Sequence, residues 1–289
     1  MTRQNDMLDR CVTWAIKRES IRSLAVIGSM SHANNSADEW SDIDLLLTST
    51  ACDMLRQSDR WLTEIAQPAI MTVERGPDGA VVERRALFKG GQDVDILIMP
   101  AGDLQKTVNA TYIGQIMARG WRELVDKDGE LAVLEVASPP EREGVSETAY
   151  SECVNDFFYH VVWTAKKLAR GELWTAKRCC DVYMKEHLLR IITWQTQLDT
   201  PTVDTFYSGR HIERWAPRAM LCNLARTFAH YELGDIKRAL WQTTDLFAQT
   251  ARALAHRAGY TYCESVERYA RTALVDLVQE ASGNTGETL

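Results

Sequence analysis

The sequence predicts an α+β protein in two parts, a mixed sheet flanked by helices followed by an all-α helical bundle. In the first part, up to about residue 136, short runs of β-branched and aliphatic residues alternate with amphipathic stretches. In the second part this alternation is lost, and apolar residues recur at steps of three and four. The segment ASPPEREGVS (137–146), with two prolines and a glycine, separates the parts. We therefore expect domains at 1–137 and 146–289.

The first domain is predicted to contain five strands and three helices. The strands are short apolar runs at 23–28, 43–48, 70–74, 81–88 and 94–99. Gly90 and Gly91, between the last two, indicate a hairpin turn. Amphipathic periodicity predicts helices at 6–19, 54–65 and 104–119.

The second domain is predicted to consist of long helices. Ser146 followed by Glu147 is a helix-start signal. The periodic stretches that follow cover 147–170, 174–196, 216–231, 235–258 and 261–280. Pro201 and Gly209 fall within 198–215, which predicts a long loop of the kind that often carries function.

Charge, cysteine content and missing motifs exclude several classes of protein. The net charge of −7 repels nucleic acid and favours cationic partners. The seven cysteines are odd in number and form no CxxC pair, which argues against a disulfide framework or a zinc knuckle. P-loop, GxSxG and GxGxxG motifs are absent from the sequence. With no signal peptide and no apolar run of about 20 residues, we expect a cytoplasmic protein that binds neither nucleic acid nor membrane.

The main chemical signal is a pair of carboxylates at the start of the second predicted strand. In SDIDLLL (41–47), Asp42 and Asp44 are two residues apart and therefore share one face of the strand. Two like charges on one face cost free energy unless a cation lies between them. Asp95 begins another apolar strand in the same way. If the two strands are neighbours, the three carboxylates converge.

A small turn precedes this acidic pair and suggests a phosphate ligand. Gly28 would allow close approach of the backbone, and Ser29 would donate a hydrogen bond to a phosphate oxygen. Mg²⁺ binds in proteins through one or two carboxylates together with substrate phosphates. Taken singly, the glycine and serine are also typical of an ordinary turn, and the acids of a solvated strand end.

These motifs resemble those of the nucleotidyltransferase superfamily of DNA polymerase beta, in which an apolar strand with Gly-Ser precedes Asp-x-Asp and a third acid lies on a later strand. The corresponding segments are VIGS (26–29), SDID (41–44) and VDI (94–96). The sequence is more closely similar to the aminoglycoside 6-adenylyltransferases, through WL (61–62), LF (87–88), 95–100, LVDKD (124–128), NDF (155–157), LAR (168–170), LLR (188–190) and GR (209–210). The family often has arginine after Gly-Ser, whereas this chain has Met30, so a phosphate contact is expected from elsewhere, with His32 as one candidate.

The resemblance implies an N-terminal nucleotidyltransferase domain that transfers AMP from ATP to a substrate hydroxyl, with release of pyrophosphate. Asp42 and Asp44 are then expected to hold Mg²⁺, which stabilises charge at the α-phosphate. Asp95 is expected to act as the general base and to face the substrate, or to complete the metal site as a third ligand. Asp93 is expected on the opposite face of the strand, as a turn acid rather than a ligand.

The helical domain is expected to bind both substrates. On helix 147–170, acids and bases share one broad face at three- and four-residue steps. Together with the resemblance, this pattern assigns the nucleotide to Gly28, Ser29, Lys166, Arg170 and Arg190. The cationic acceptor is assigned to Asp95, Asn155, Asp156 and Tyr159.

Three functional hypotheses follow from these patterns. The first is a magnesium-dependent enzyme that adenylylates an aminoglycoside such as streptomycin and so confers resistance. The second keeps the chemistry but has a lincosamide as acceptor, and the third is a nucleotide-binding module without activity. A monomer and a homodimer are both compatible with the sequence.

Overall fold

Residues 3–31, 37–76, 81–138, 145–205 and 208–283 are described by the computed structural model. The chain divides into two units, 1–142 and 143–289. The first is a mixed sheet flanked by helices and the second is helical, which confirms the predicted α+β class. Most of the predicted linker, 137–146, lies outside the described residues.

The described part of the first unit contains a six-stranded sheet in the order β3-β4-β5-β2-β1-β6. β2 and β5 are parallel, and the other neighbouring pairs are antiparallel. The central strands β2 and β5 are near-continuous apolar runs, so both faces of the sheet are buried there. The strands are β1 (Ile21–Val26), β2 (Ile43–Ser49), β3 (Pro68–Arg75), β4 (Val82–Phe88), β5 (Gln92–Pro100) and β6 (Arg122–Asp126).

Helices cover each face of this sheet with a separate core. On one face, α1 (Arg3–Lys17), α2 (Cys52–Gln57) and the 3₁₀ turn Arg60–Glu64 pack on Leu45 and Leu47. On the other face, α3 (Leu104–Ala110) and α4 (Ile113–Met117) pack on Leu46 and neighbouring residues. Since side chains alternate along a strand, Asp44 and Leu46 point to this second face.

Several elements of the first unit differ from the prediction. The predicted helix 54–65 is divided into α2 and a 3₁₀ turn, and the predicted helix 104–119 is divided into α3 and α4. The second break lies where Gly114 passes so close to α3 that a Cβ there would be 2.3 Å from the Val108 carbonyl oxygen. β6 was not predicted, because its sequence RELVD is mostly polar and buries only Val125. It lies at one edge of the described sheet, where it pairs with β1.

The second unit packs its long helices around a core of large aromatic and aliphatic side chains. Phe157 and Phe247 are stacked in this core with ring centroids 3.5 Å apart. The longest described helices are α5 (Glu147–Ala169), α7 (Met184–Asp199), α10 (Leu233–Ala258) and α11 (Glu264–Gly283). Ser146 caps α5 by accepting a hydrogen bond from the Ala149 N–H, as expected for a helix-start serine.

The predicted helices 174–196 and 216–231 are interrupted. The first becomes α6 (Leu173–Arg178), a π-helical turn (Cys179–Tyr183) and α7. After α7, the described residues 200–205 and 208–215 are mostly irregular and contain the single helical turn α8 (Ile212–Trp215). The helical structure of 216–231 ends after α9 (Arg218–Leu224) and a 3₁₀ turn (Ala225–Thr227). At this end Lys185 Nζ donates a hydrogen bond to the Thr227 carbonyl at 2.9 Å. No helix among the described residues is both long and apolar enough to cross a membrane.

Candidate active site

The sheet brings three predicted carboxylates together. β2 and β5 are adjacent and parallel, and their register places Asp44 beside Asp95. Asp42 directly precedes β2. One carboxylate oxygen from each of these residues lies within 4.8 Å of the others. The convergence expected if the two strands were neighbours is therefore present in the structure.

The turn after β1 lies against this cluster. Gly28 has a φ of +65°, and a Cβ at this position would be 2.2 Å from Asp44 Oδ2, so only glycine allows this approach. The Ile27 N–H donates to the Asp44 carbonyl at 3.0 Å. Ser31 Oγ donates to the carbonyl of Gly28 at 2.8 Å, and Ser29 is buried within the same turn. His32 lies outside the described residues.

A second turn fixes the backbone that leads into Asp42. The Asp38 carboxylate accepts a hydrogen bond from the Trp40 N–H at 3.0 Å. Gln4 of α1 donates through Nε2 to the carbonyls of Asp38 and Ser41, at 2.6 and 2.9 Å. Helix α1 thus holds the segment that presents the first acid of the cluster.

The cluster carries more negative charge than its surroundings neutralise. Burial, and then the charge of Asp42, raises the pKa of Asp44 to about 7. Burial, and then the charge of Glu83, also raises the pKa of Asp95 above its ordinary value. The buried Oδ1 of Asp95 has no hydrogen-bond partner among the described residues. Clustered carboxylate oxygens with an unused buried acceptor are a suitable ligand set for a hard divalent cation such as Mg²⁺.

Two residues beside this site, Glu83 and Arg85, were not predicted as part of it. β4 is antiparallel to β5 and places Arg85 opposite Asp95, with Arg85 Nε 3.3 Å from Asp95 Oδ2 and 2.8 Å from Glu83 Oε1. Alternation in VERRALF (82–88) indicates that Glu83 and Arg85 share a face, but only the strand order shows which face that is.

The expectation for Asp93 was wrong. Asp93 lies on β5 two residues before Asp95, so the two side chains point to the same face rather than to opposite faces. The two carboxyl groups share a hydrogen bond, and burial followed by the charge of Asp42 raises the pKa of Asp93. Asp93 therefore belongs to the acidic surroundings of the cluster.

The helical unit contains a cavity of about 450 Å³ between α5 and α7, which includes one of the predicted acceptor residues. Asp156 accepts hydrogen bonds from Tyr183 Oη at 2.7 Å and is paired with His187 Nε2 at 2.9 Å and His160 Nδ1 at 3.1 Å. Burial lowers the pKa of His187, and the Asp156 charge opposes that shift. The cavity is lined by Ala149, Glu152, Cys153, Asp156, His187, Arg190 and Trp194.

The other predicted residues of this unit fall into two places. Arg190 lines the cavity with Asp156. Asn155 and Tyr159 are exposed on α5 near the cavity, with Tyr159 edge-on to His160 at 5.2 Å. Lys166 and Arg170 lie at the C-terminal end of α5, about 15 and 21 Å along the helix from Asp156 at 1.5 Å per residue.

Arg170 is paired with Glu172 at 2.8 Å and its side chain is 70% exposed. The structure therefore brings Arg190 together with the predicted acceptor residues of this unit, and not with the other predicted nucleotide-binding bases. The assignment of Lys166, Arg170 and Arg190 to the nucleotide stays a prediction.

Comparison with known proteins finds three relatives that share one name. The chain is 21% identical over 275 residues to an aminoglycoside 6-adenylyltransferase of Bacillus subtilis (strain 168), covering 91% of this chain and 93% of the relative. It is 20% identical over 277 residues to an enzyme of the same name from Campylobacter jejuni, covering 91% of each chain. A third relative of that name, from Staphylococcus aureus, is 22% identical over 67% of this chain and 70% of its own.

Structural comparison finds a crystal structure of an aminoglycoside 6-adenyltransferase from Bacillus subtilis, with a TM-score of 0.45 and 16% sequence identity. The alignment covers 96% of this chain and 99% of the other. The family model described as streptomycin adenylyltransferase matches residues 1–274. Since this match spans nearly the whole sequence, the chain belongs to the streptomycin adenylyltransferase family and is a nucleotidyltransferase enzyme.

Proposed function

We propose that this protein is a cytoplasmic enzyme that transfers AMP from magnesium-bound ATP to a hydroxyl group of an aminoglycoside of the streptomycin type and releases pyrophosphate. This modification of the antibiotic would confer resistance to it. The observation that carries the proposal is the convergence of Asp42, Asp44 and Asp95 within 4.8 Å. The names of the relatives support an aminoglycoside as the acceptor.

The reaction forms a bond between the acceptor oxygen and the α-phosphorus of ATP and breaks the bond from that phosphorus to the bridging oxygen of pyrophosphate. Asp42 and Asp44 would hold Mg²⁺, which when bound neutralises the triphosphate and stabilises charge on the reacting phosphoryl group. Gly28 and Ser29 form the turn beside Asp44, and they are proposed to contact the phosphates.

Asp95 has two proposed roles in this reaction. Its raised pKa makes it a better proton acceptor than an ordinary carboxylate, which supports removal of the proton from the acceptor hydroxyl. Its position next to Asp44 equally supports a third metal ligand. In the first role, Asp95→Asn lowers the single-turnover rate more than ATP affinity, and in the second it weakens metal binding as well.

The acceptor is proposed to bind partly to the helical unit. A polycationic antibiotic needs carboxylates near its amino or guanidino groups, and the protein has a net charge of −7. Asp156 lines the α5–α7 cavity with Glu152, and Asn155 and Tyr159 are exposed nearby on α5. Lys166, Arg170 and Arg190 are proposed to bind phosphate oxygens of the nucleotide.

Pyrophosphate release from Mg-ATP tests the proposal with streptomycin, kanamycin, spectinomycin and lincomycin as acceptors. Reactions without acceptor and without metal serve as controls. We expect release with streptomycin only, and none in either control. Release with lincomycin alone would retain the chemistry and replace the acceptor, whereas failure to bind Mg-ATP would contradict the catalytic assignment itself.

A further inference from the structure

Arg85 is the described cation in direct contact with the acidic cluster. It lies on β4 opposite Asp95, and its Nε is 3.3 Å from Asp95 Oδ2. Its side chain is 40% exposed, whereas that of Asp95 is only 11% exposed. The guanidinium therefore reaches from the edge of the site to a carboxylate that is almost fully buried.

The guanidinium is itself held in place by two other carboxylates. Arg85 Nε is 2.8 Å from Glu83 Oε1, and its Nη2 is 2.8 Å from Glu74 Oε2 on β3. The hydrogen bond to Glu83 raises the pKa of Arg85 still further above its ordinary value, so the group stays charged. A planar guanidinium held by carboxylates at both Nε and Nη2 has a fixed orientation, which a flexible ammonium group would lack.

Asp95 needs such a partner because its own torsion angles do not fix its carboxylate. The terminal χ2 angle of aspartate is broad and roughly two-fold, so the plane of the carboxylate is set by its contacts. Arg85 engages Oδ2, while the buried Oδ1 has no hydrogen-bond partner among the described residues. Asp95 Oδ2 therefore has an ion-pair partner in Arg85, whose Nε hydrogen bond goes to Glu83, and Glu83 in turn hydrogen-bonds with Asp95.

We propose that Arg85 is a positioning residue of the active site, whose guanidinium, fixed by Glu74 and Glu83, holds Asp95 in the orientation in which it meets Asp42 and Asp44. Its role in turnover rests on the proposed adenylyl transfer. Positioning is distinct from phosphate binding, because both the Nε and Nη2 groups already point at carboxylates. It is also distinct from simple neutralisation, because the shape of the guanidinium matters as well as its charge.

Arg85→Lys separates shape from charge, since it keeps the positive charge and loses the planar fork. We expect kcat to fall about 10- to 100-fold, the usual range for residues that orient a metal-site ligand, with KM for ATP within about twofold. Arg85→Ala should be at least as impaired. Arg22→Lys is the matched control, because Arg22 also pairs with two carboxylates, Glu19 and Asp128, away from the cluster. We expect it to retain wild-type kcat.

Chemical rescue tests the same idea in Arg85→Ala. Added guanidinium, well below concentrations that unfold proteins, should restore part of kcat, whereas ammonium at equal ionic strength should not. Wild-type kcat in Arg85→Lys would overturn the proposal. A rise in KM for ATP at unchanged kcat would also overturn it, because that result identifies a phosphate contact.

A double-mutant cycle provides a readout that does not depend on the reaction. Denaturant unfolding of the metal-free single and double variants Arg85→Ala and Asp95→Asn should show non-additive changes, as expected for residues in contact. Additive changes would mean that Arg85 does not hold Asp95. If the wild-type protein adenylylates no acceptor, the proposed function fails, while this cycle still decides whether the contact exists.

Discussion

Metal binding requires the ionised form of Asp44, whereas folding of the metal-free protein favours its neutral form. Burial raises its pKa to about 7, so ionising it in the folded, metal-free protein costs free energy. We expect Asp44→Asn to lose turnover while its unfolding temperature at pH 8 in the presence of a chelator is no lower than that of the wild type. Thermal unfolding and pyrophosphate release check the two halves of this prediction. Full turnover in the variant would remove Asp44 from the metal site.

Gly28 is required by both its backbone angle and its contact with Asp44. Gly28→Ala places a methyl group 2.2 Å from Asp44 Oδ2 at a φ of +65°, so the turn or the carboxylate has to move. We expect a loss of about 1–2 kcal/mol in the free energy of unfolding from the left-handed backbone alone, together with a large loss of turnover. Denaturant titration and steady-state kinetics measure the two effects.

Gly91→Ala separates the effect of backbone strain from the effect of a steric clash with Asp44. Gly91 has a similar φ of +75°, but a Cβ there meets nothing within 4 Å. This variant should lose stability through the same backbone strain and keep its activity. Equal losses of activity in the two variants would show that the contact between Gly28 and Asp44 is not what matters.

At the scale of elements, α5 and α7 are joined through a buried histidine, His187. His187 is paired with Asp156, and its Nδ1 is 3.5 Å from the thiol of Cys153. Burial lowers the pKa of His187, so the folded state binds a proton less readily than the unfolded state, whose histidine pKa is about 6.5. Acidification below about pH 6.5 therefore favours unfolding through this residue.

Replacement of His187 tests this linkage. In His187→Gln, the decline in the free energy of unfolding between about pH 6.5 and pH 5 should be smaller than in the wild type. Denaturant titrations across this range measure it, and the difference between the two proteins cancels the contribution of other titrating groups. His230→Gln is a control, because His230 is 95% exposed. A wild-type slope in His187→Gln would show that this histidine does not couple pH to stability.

The elements also show which parts of the site the sequence could predict. Period-two alternation places Asp44 and Asp95 on defined faces of their strands, because this pattern is local. Their proximity depends on the parallel pairing of β2 with β5, two strands that are distant in sequence. Glu83 and Arg85 were missed for the same reason, since their face is set by the position of β4 in the sheet.

Tertiary contacts also decide where the predicted helices break. The predicted helix 104–119 is broken between α3 and α4, and Gly114 in α4 lies so close to the Val108 carbonyl that a Cβ would not fit, which no periodicity in that segment indicates. In the helical unit, Lys185 from α7 binds the Thr227 carbonyl and fixes an irregular chain where a continuous helix was predicted. Amphipathic pattern therefore predicts that a helix exists more securely than it predicts where the helix ends.

At the scale of the whole molecule, the carboxylate cluster predicts a stability that depends on divalent metal. A ligand that binds only the folded state stabilises it by RT ln(1 + [L]/Kd), about 2.7 kcal/mol when the ligand is at 100 times Kd. Mg²⁺ relieves the repulsion among Asp42, Asp44 and Asp95 only when these residues are held together by the fold. We therefore expect Mg²⁺ to raise the unfolding temperature, and Asp44→Asn to lose most of this increase.

Screening of the net charge of −7 is the competing explanation for a rise in the unfolding temperature with Mg²⁺, since any salt reduces repulsion across an acidic protein. Potassium chloride at matched ionic strength is the control, and it should shift the unfolding temperature much less than Mg²⁺ does. Screening should also act alike on the wild type and Asp44→Asn, whereas specific binding distinguishes them. Equal shifts with both salts in both proteins would show that the three carboxylates hold no ion, and the catalytic role proposed for them would fall with that result.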